Sequence, residues 1–133
     1  MDALYQSQLL DYAGVARSQT PLSHVTHSAS VRNPTCGDEV VLSLCINGNV
    51  ISDVHVDVKG CALCEAGGGL MIEAARGAKL SEIAPLHKEL KDYLAQHLDA
   101  SDDRFTAFQA VQTIKNRHKC VLLAFEAYHK ATQ

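Results

Sequence analysis

Three separate segments of this chain carry cysteines, and one of them adds a carboxylate. Cys36 and Asp38 stand two positions apart in residues 32–38, Cys61 follows a predicted strand, and Cys120 follows a run of basic residues. Three thiolates and one carboxylate suit tetrahedral zinc, and thiolates also suit iron–sulfur clusters. The long intervals exclude a zinc finger, whose ligands come in closely spaced pairs. The pattern predicts one metal site built from remote parts of the chain.

The chain has five cysteines, an odd number that argues against a disulfide framework. Cys45, within a predicted strand, is interpreted as a small buried hydrophobic residue. Cys64 follows Cys61 by three positions and is either a spare ligand or a resolving thiol. Cys61, Cys64 and Cys120 all stand near predicted helix N-termini, where free N–H groups favour negative charge. Reactive thiols are therefore expected in this group.

Two other functional classes compete with this interpretation. Cys61-Ala62-Leu63-Cys64, after a strand and opening a helix, is locally typical of a thioredoxin-like dithiol oxidoreductase. That class needs a parallel βαβ unit, whereas the sequence predicts an antiparallel hairpin before Cys61. An inert structural zinc domain would gather its ligands in short paired spacings. His118 is a further candidate ligand, but a solvated position beside the helix start is favoured.

The predicted elements place these residues at element boundaries. A short strand is expected near 28–32, and residues 39–46 alternate apolar and polar side chains as a half-buried strand does. Asn47-Gly48-Asn49 predicts a hairpin turn. In the return strand, 50–59, Val50, Ser52, Val54, Val56 and Val58 are expected to point inward, and Ile51 outward.

Helices are predicted over residues 3–17, 62–76 and from His118 to the end, with a short helical turn at 80–83, a helix from about Pro85 and another capped by Ser101. The first is expected to lie loosely on the body. Gly67-Gly68-Gly69 lies inside the second, which implies close approach of another backbone or a mobile turn. The fold class is α+β, a single domain over residues 1–133 with a small antiparallel three-stranded sheet packed on one side by helices.

Composition gives no general electrostatic reason to bind nucleic acid or an anionic membrane, because the net charge is −3 and the pI about 6.1. No apolar run approaches the roughly 20 residues of a membrane span. The N-terminus lacks the basic region and apolar core of a signal peptide. A cytosolic location is expected.

Three motifs together resemble those of the U-type iron–sulfur cluster assembly family, which comprises IscU, SufU and the N-terminal domain of NifU. The motifs are Asn33-Pro34-Thr35-Cys36-Gly37-Asp38, Gly60-Cys61-Ala62-Leu63-Cys64-Glu65-Ala66 and Arg117-His118-Lys119-Cys120. The resemblance implies that Cys36, Asp38, Cys61 and Cys120 are ligands meeting at one exposed tip. It also implies that sulfur arrives as a persulfide from a cysteine desulfurase, with Cys120 as the acceptor and Cys36 as a competitor.

Within that family, the lysine directly before the third motif cysteine, Lys119, is similar to the residue found there in the SufU-like branch. The long interval between Cys61 and Cys120 also resembles that branch. This branch implies zinc at rest and relay of sulfur to a downstream scaffold or apo-proteins, as a zinc-dependent sulfurtransferase. The alternative is a non-enzymatic scaffold that assembles and transfers a [2Fe-2S] cluster. Gly67-Gly68-Gly69 departs from the family pattern, as does Cys64.

Overall fold

The computed structural model describes residues 3–35, 37–96 and 99–133. Its elements run in the order α1 (Ala3–Arg17), β1 (His27–Arg32), β2 (Glu39–Asn47), β3 (Val50–Lys59), α2 (Ala62–Ala75), α3 (Leu80–Leu94), two 3₁₀ segments (Asp103–Thr113 and Lys115–Arg117) and α4 (His118–Ala131). After α1 the three strands follow one another, and helices dominate the second half, so the predicted α+β class is confirmed.

The sheet is antiparallel with the strand order β1-β2-β3. Val40, Leu42 and Leu44 of β2 are fully buried on one face, as their alternation with polar residues predicts. Helices α2 and α4 cover this face. The strand ends at Glu39 and Lys59 pair with each other, which sets the start of β2 beside the end of β3.

The hairpin turn and its register differ from the sequence prediction. The turn residues are Gly48 and Asn49, and Gly48 has a positive φ of +64°, as expected for glycine at the first position of a type II′ turn. A β-bulge follows, because Cys45 pairs with Asp53 but Ile46 pairs with Ile51. The extra residue reverses the alternation.

The bulge makes part of the predicted facing of β3 wrong. Ile51 is fully buried, whereas Val50 and Ser52 are exposed. Beyond the bulge the prediction holds, since Val54 and Val56 are buried and Val58 packs against the core.

Helix α2 is the central element, and its three consecutive glycines each face a different neighbour. A Cβ at Gly67 would overlap the carbonyl oxygen of Val121 in α4, and one at Gly69 would overlap the carbonyl oxygen of Tyr12 in α1. Gly68 faces β3. Successive helical residues point about 100° apart, which accounts for the three directions. The predicted close approach of other backbones is confirmed, and the whole triplet is buried.

Helix α1 packs closely on α2, so the expectation of a loosely lying first helix is wrong. Leu9 and Ala13 are buried, and the ring of Tyr12 stacks on Phe108 with 5.9 Å between centroids. The glycines of α2 allow this contact because no side chain separates the two backbones.

The second half contains fewer and different helices than predicted. The short turn at 80–83 and the helix from Pro85 are one helix, α3, with Pro85 inside it. Leucines recur every four residues along this part of the sequence, and Leu86, Leu90 and Leu94 are buried in the core. The next leucine of the series, Leu98, lies outside the described residues.

The predicted helix after Ser101 is a 3₁₀ segment, and its cap is Asp102, whose side chain accepts a hydrogen bond from the N–H of Arg104. Phe105, Phe108 and Val111 are buried in this segment. Their spacing of three matches the 3₁₀ period better than the α-helical one.

A side chain occupies one pairing position on the outer edge of β3. The amide of Gln19 accepts from the N–H of Val56 at 2.9 Å and donates to its carbonyl at 2.7 Å. It thereby occupies one position where a fourth strand would pair. Within the described ranges, no helix has the length and apolar character that crossing a membrane requires.

Candidate metal centre

Asp38, Cys61 and Cys120 form a cluster in which the carboxylate oxygen and the two sulfur atoms all lie within 4.8 Å of one another. Asp38 immediately precedes β2, Cys61 is the N-cap of α2, and Cys120 lies in the first turn of α4. Three elements that are distant in sequence thus begin close to one point. This is the convergence that the motifs predict.

The separation between Cys61 and Asp38 is close to that of two ligands around a tetrahedral ion. Ligands about 2.0 to 2.3 Å from zinc lie roughly 3.5 to 4 Å from each other. Cys61 Sγ is 3.4 Å from Asp38 Oδ2, to which it donates a hydrogen bond. Asp38 and Cys120 are 7% and 1% exposed, whereas Cys61 is partly exposed. The cluster is therefore buried on two sides and opens to solvent at Cys61.

A closed loop holds Asp38. The N–H of Asn33 donates to the carbonyl of Asp38, and the N–H of Gly37 donates to the carbonyl of Asn33, both at 2.8 Å. Asn33 is only 4% exposed, and its Oδ1 accepts from the N–H of Thr35 at 3.1 Å. Gly37 has a φ of +77°, which glycine adopts without strain. The loop 33–38 is thus fixed at both ends.

Cys36, the fourth predicted ligand, lies outside the described residues. Its ligation and its role as a sulfur acceptor stay predictions.

Gly60 lies against the carboxyl group of Asp38. A Cβ at position 60 would be 2.6 Å from Asp38 Cγ and 2.8 Å from its Oδ1. The backbone of Gly60 does not have a positive φ, so its conformation does not require glycine. Glycine is needed here because a side chain would overlap Asp38.

The surroundings of the cluster favour negative charge. Cys61 and Cys120 stand at helix N-termini, whose free N–H groups stabilise anions. The guanidinium of Arg32 reaches the neighbourhood of Gly37, since its Nη2 is 3.9 Å from the Cβ position there. Lys119, next to Cys120, is exposed.

His118 has a structural task. Its Nε2 donates to the carbonyl of Val111 at 2.8 Å and lies 3.2 Å from that of Gln112, so the ring ties the 3₁₀ segment to the start of α4. The ring is partly buried, which differs from the solvated position expected, and it is not part of the cluster.

Cys64 and Cys45 are not members of the ligand set found among the described residues. Cys64 is 1% exposed and belongs to the core. Its burial and the antiparallel β3 before α2 do not fit a thioredoxin-like dithiol site, which needs a reachable pair and a parallel strand. Cys45 pairs with Asp53 near the turn of the hairpin and is half-buried, more exposed than the core residue predicted.

Sequence reasoning missed the tasks of Asn33 and Gly60. Asn before Pro34 is a turn signal that indicates local hydrogen bonding, and glycine directly before Cys61 indicates close approach. Neither signal identifies the carboxylate as the group approached, because that contact joins residues far apart in the chain.

Comparison with known proteins agrees with this geometry. The zinc-dependent sulfurtransferase SufU of Bacillus subtilis is 26% identical over 133 residues, covering 98% of this chain and 90% of that protein. The iron–sulfur cluster assembly scaffold protein IscU of Thermotoga maritima is 28% identical over 131 residues, covering 96% and 92%. These two identities do not separate a SufU-like from an IscU-like branch.

Solved structures of related proteins have the same fold. The crystal structure of a nitrogen-fixing NifU-like protein (N-terminal) from Brucella abortus superposes with a TM-score of 0.83 at 26% identity, covering 96% of this chain and 91% of that one. The family model of the NifU-like N-terminal domain matches residues 4–131, which include every ligand predicted from the motifs. The chain therefore belongs to the NifU-like N-terminal domain family.

Proposed function

We propose that this chain works in iron–sulfur cluster biogenesis, where it accepts persulfide sulfur from a cysteine desulfurase at a zinc–thiolate site and relays it to cluster assembly. The observation that carries the proposal is the cluster of Asp38, Cys61 and Cys120, with its ligand atoms within 4.8 Å. Family membership supports it, because the relatives named above are a sulfurtransferase and an assembly scaffold.

The donor set fits zinc. Cys61 and Cys120 supply soft sulfur ligands, Asp38 supplies one oxygen, and Cys36 is the proposed fourth ligand. A bound zinc ion would hold the sulfurs as thiolates and fix their positions. The carboxylate is the weakest member of such a set, so its departure gives an incoming sulfur a place to bind.

The sulfur transfer that we propose is an exchange at sulfur. A thiolate of this chain attacks the terminal sulfur of the desulfurase persulfide, and a new S–S bond forms to the acceptor. The S–S bond in the desulfurase breaks, and its cysteine leaves as a thiolate that takes up the proton lost by the acceptor. One sulfur atom moves, and no external oxidant or reductant is consumed.

Cys120 is the proposed acceptor, with Cys36 as competitor. Lys119 and the N-terminus of α4 support negative charge at Cys120, but its sulfur is 1% exposed. Thr35 and Gly37, the chain neighbours of Cys36, are both exposed. Charge favours Cys120 and its burial opposes it, so the experiment tests both cysteines.

The test measures desulfurase turnover with and without this protein and locates persulfide by mass spectrometry after alkylation. We expect acceleration that is lost in Cys36→Ala and Cys120→Ala and kept in Cys45→Ala, the matched control at the other end of the hairpin. Unchanged acceleration in Cys36→Ala and Cys120→Ala, or no acceleration by the wild type, would refute the relay.

The second candidate is a scaffold that builds and transfers a [2Fe-2S] cluster, and it is supported by the presence of a scaffold IscU among the relatives. Metal analysis with optical spectra separates the two. About one zinc per chain without visible absorption supports relay. A reconstituted chromophore that transfers to an apo-ferredoxin supports scaffolding, and absence of any thiolate-bound metal contradicts both.

A further inference from the structure

We infer that Gly60 is a positioning residue that sets the carboxylate of Asp38 in the metal centre, an inference that rests on the proposed metal-dependent function. Gly60 touches no ligand with a side chain of its own. It acts by leaving room at its Cα, and the carboxyl group of Asp38 occupies that room.

The first argument is the contact itself. The three atoms nearest to a Cβ at position 60 all belong to Asp38: Cγ at 2.6 Å, Oδ1 at 2.8 Å and Cβ at 2.9 Å. Ordinary van der Waals contact begins at 3.4 Å, so the whole side chain would have to retreat by several tenths of an ångström. A flexible surface group can retreat in this way, but Asp38 is 7% exposed.

The second argument is that Asp38 has little freedom to move. Its carbonyl oxygen is held by the N–H of Asn33 at 2.8 Å, so its backbone is fixed by the loop 33–38. Oδ2 faces Cys61 Sγ at 3.4 Å, while Oδ1 lies on the side of Gly60. A methyl group at position 60 would therefore push the carboxylate away from its place beside Cys61.

The third argument concerns the backbone. Positive φ angles occur at Gly37, Gly48 and Gly77, and not at Gly60. Alanine readily adopts a negative φ, so the nearest obstacle to a methyl group at position 60 is the side chain of Asp38. This separates a contact effect from the general cost of replacing a glycine in a turn.

The test is the affinity for Zn²⁺, measured by competition with a chromogenic chelator, together with the absorption spectrum of the Co²⁺-substituted protein. We expect Gly60→Ala to bind Zn²⁺ about 10-fold or more weakly, as for residues that orient ligands, and to show an altered Co²⁺ spectrum. Gly14→Ala is the matched control, because a Cβ there meets nothing within 4 Å. It should bind as the wild type does.

The Asp38→Gly background shows whether the effect passes through the carboxylate. It removes the three atoms nearest to the added methyl group, so Gly60→Ala should there change Zn²⁺ affinity by less than about twofold. If Gly60→Ala alone does not fold, the melting temperature of the metal-free double variant shows whether the added methyl group acts through the side chain of Asp38. Recovery to that of Asp38→Gly supports the inference.

Three results overturn it: wild-type affinity and spectrum in Gly60→Ala, an equal loss of affinity in the Asp38→Gly background, or no recovery of folding in the double variant. Failure of the proposed function looks different, because the wild type itself would then bind neither Zn²⁺ nor Co²⁺ through thiolates.

Discussion

Among single residues, Glu126 shows how burial couples charge to folding. It lies half-buried on α4, and desolvation raises its pKa above the ordinary 4.5, although Lys119 and Lys91 oppose the shift. The ionised carboxylate is therefore less favourable in the folded than in the unfolded chain. Its ionisation costs stability above the folded-state pKa, and this cost disappears below 4.5, where both states hold the proton.

The prediction is that Glu126→Gln raises the melting temperature at neutral pH and leaves it unchanged below pH 4.5. Calorimetry at both pH values measures the difference. Glu89→Gln, at an exposed position on α3, is the control and should have little effect at either pH. A loss of stability at neutral pH in Glu126→Gln would contradict the account.

At the same scale, sequence reasoning identified Asp38, Cys61 and Cys120 correctly as residues that meet. It succeeded because each motif joins a ligand type to an element boundary, where elements can converge. It could not identify Gly60, since a glycine carries no chemical signal and its neighbour comes from a remote segment. Cys64 shows the same limit, because spacing alone does not distinguish a buried thiol from a reachable one.

At the scale of elements, the glycine triplet of α2 determines how closely three neighbours pack. We predict that Gly67→Ala and Gly69→Ala each destabilise the protein by about 2 kcal/mol or more in urea unfolding. The added methyl groups would overlap backbone carbonyls of α4 and α1, which cannot rotate away as side chains do. Better helix propensity offsets only about 1 kcal/mol.

Gly14→Ala in α1 is the control for this series. Its Cβ would stand in open space, so we expect a gain of up to about 1 kcal/mol. Equal changes in stability at Gly14 and Gly67 would show that helix propensity, and not contact with a neighbouring backbone, determines the effect of adding a methyl group.

Element boundaries and types were partly predictable. Alternation identified β2 and β3, but the bulge that turns Ile51 inward depends on the pairing of two strands and has no local signal. The sequence predicts a helix after Ser101, and the chain forms a 3₁₀ segment whose period of three matches the spacing of Phe105, Phe108 and Val111. Glycines inside a helix correctly indicated close approach, without saying which neighbours approach.

For the whole molecule, a metal ion in the proposed site would join the loop before β2 to the first turns of α2 and α4. Its binding free energy would then add to folding. With free zinc at about 100 times the dissociation constant, the gain is about 2.7 kcal/mol, or roughly 10 °C in melting temperature.

A chelator is therefore expected to lower the melting temperature by about that amount while the apo-protein stays folded on its core. Scanning calorimetry measures both states. Cys61→Ser should show little change on chelation, and a full shift in that variant would place the stabilising ion elsewhere.

The side-chain amide of Gln19 stands where the main chain of another strand would dock on β3. A small sheet with an open border tends to recruit the border of a second molecule, which is a route to aggregates. A polar side chain bonded to that border competes with such recruitment, so we expect that Gln19, a loop residue outside the metal cluster, helps to keep two copies of the sheet from pairing.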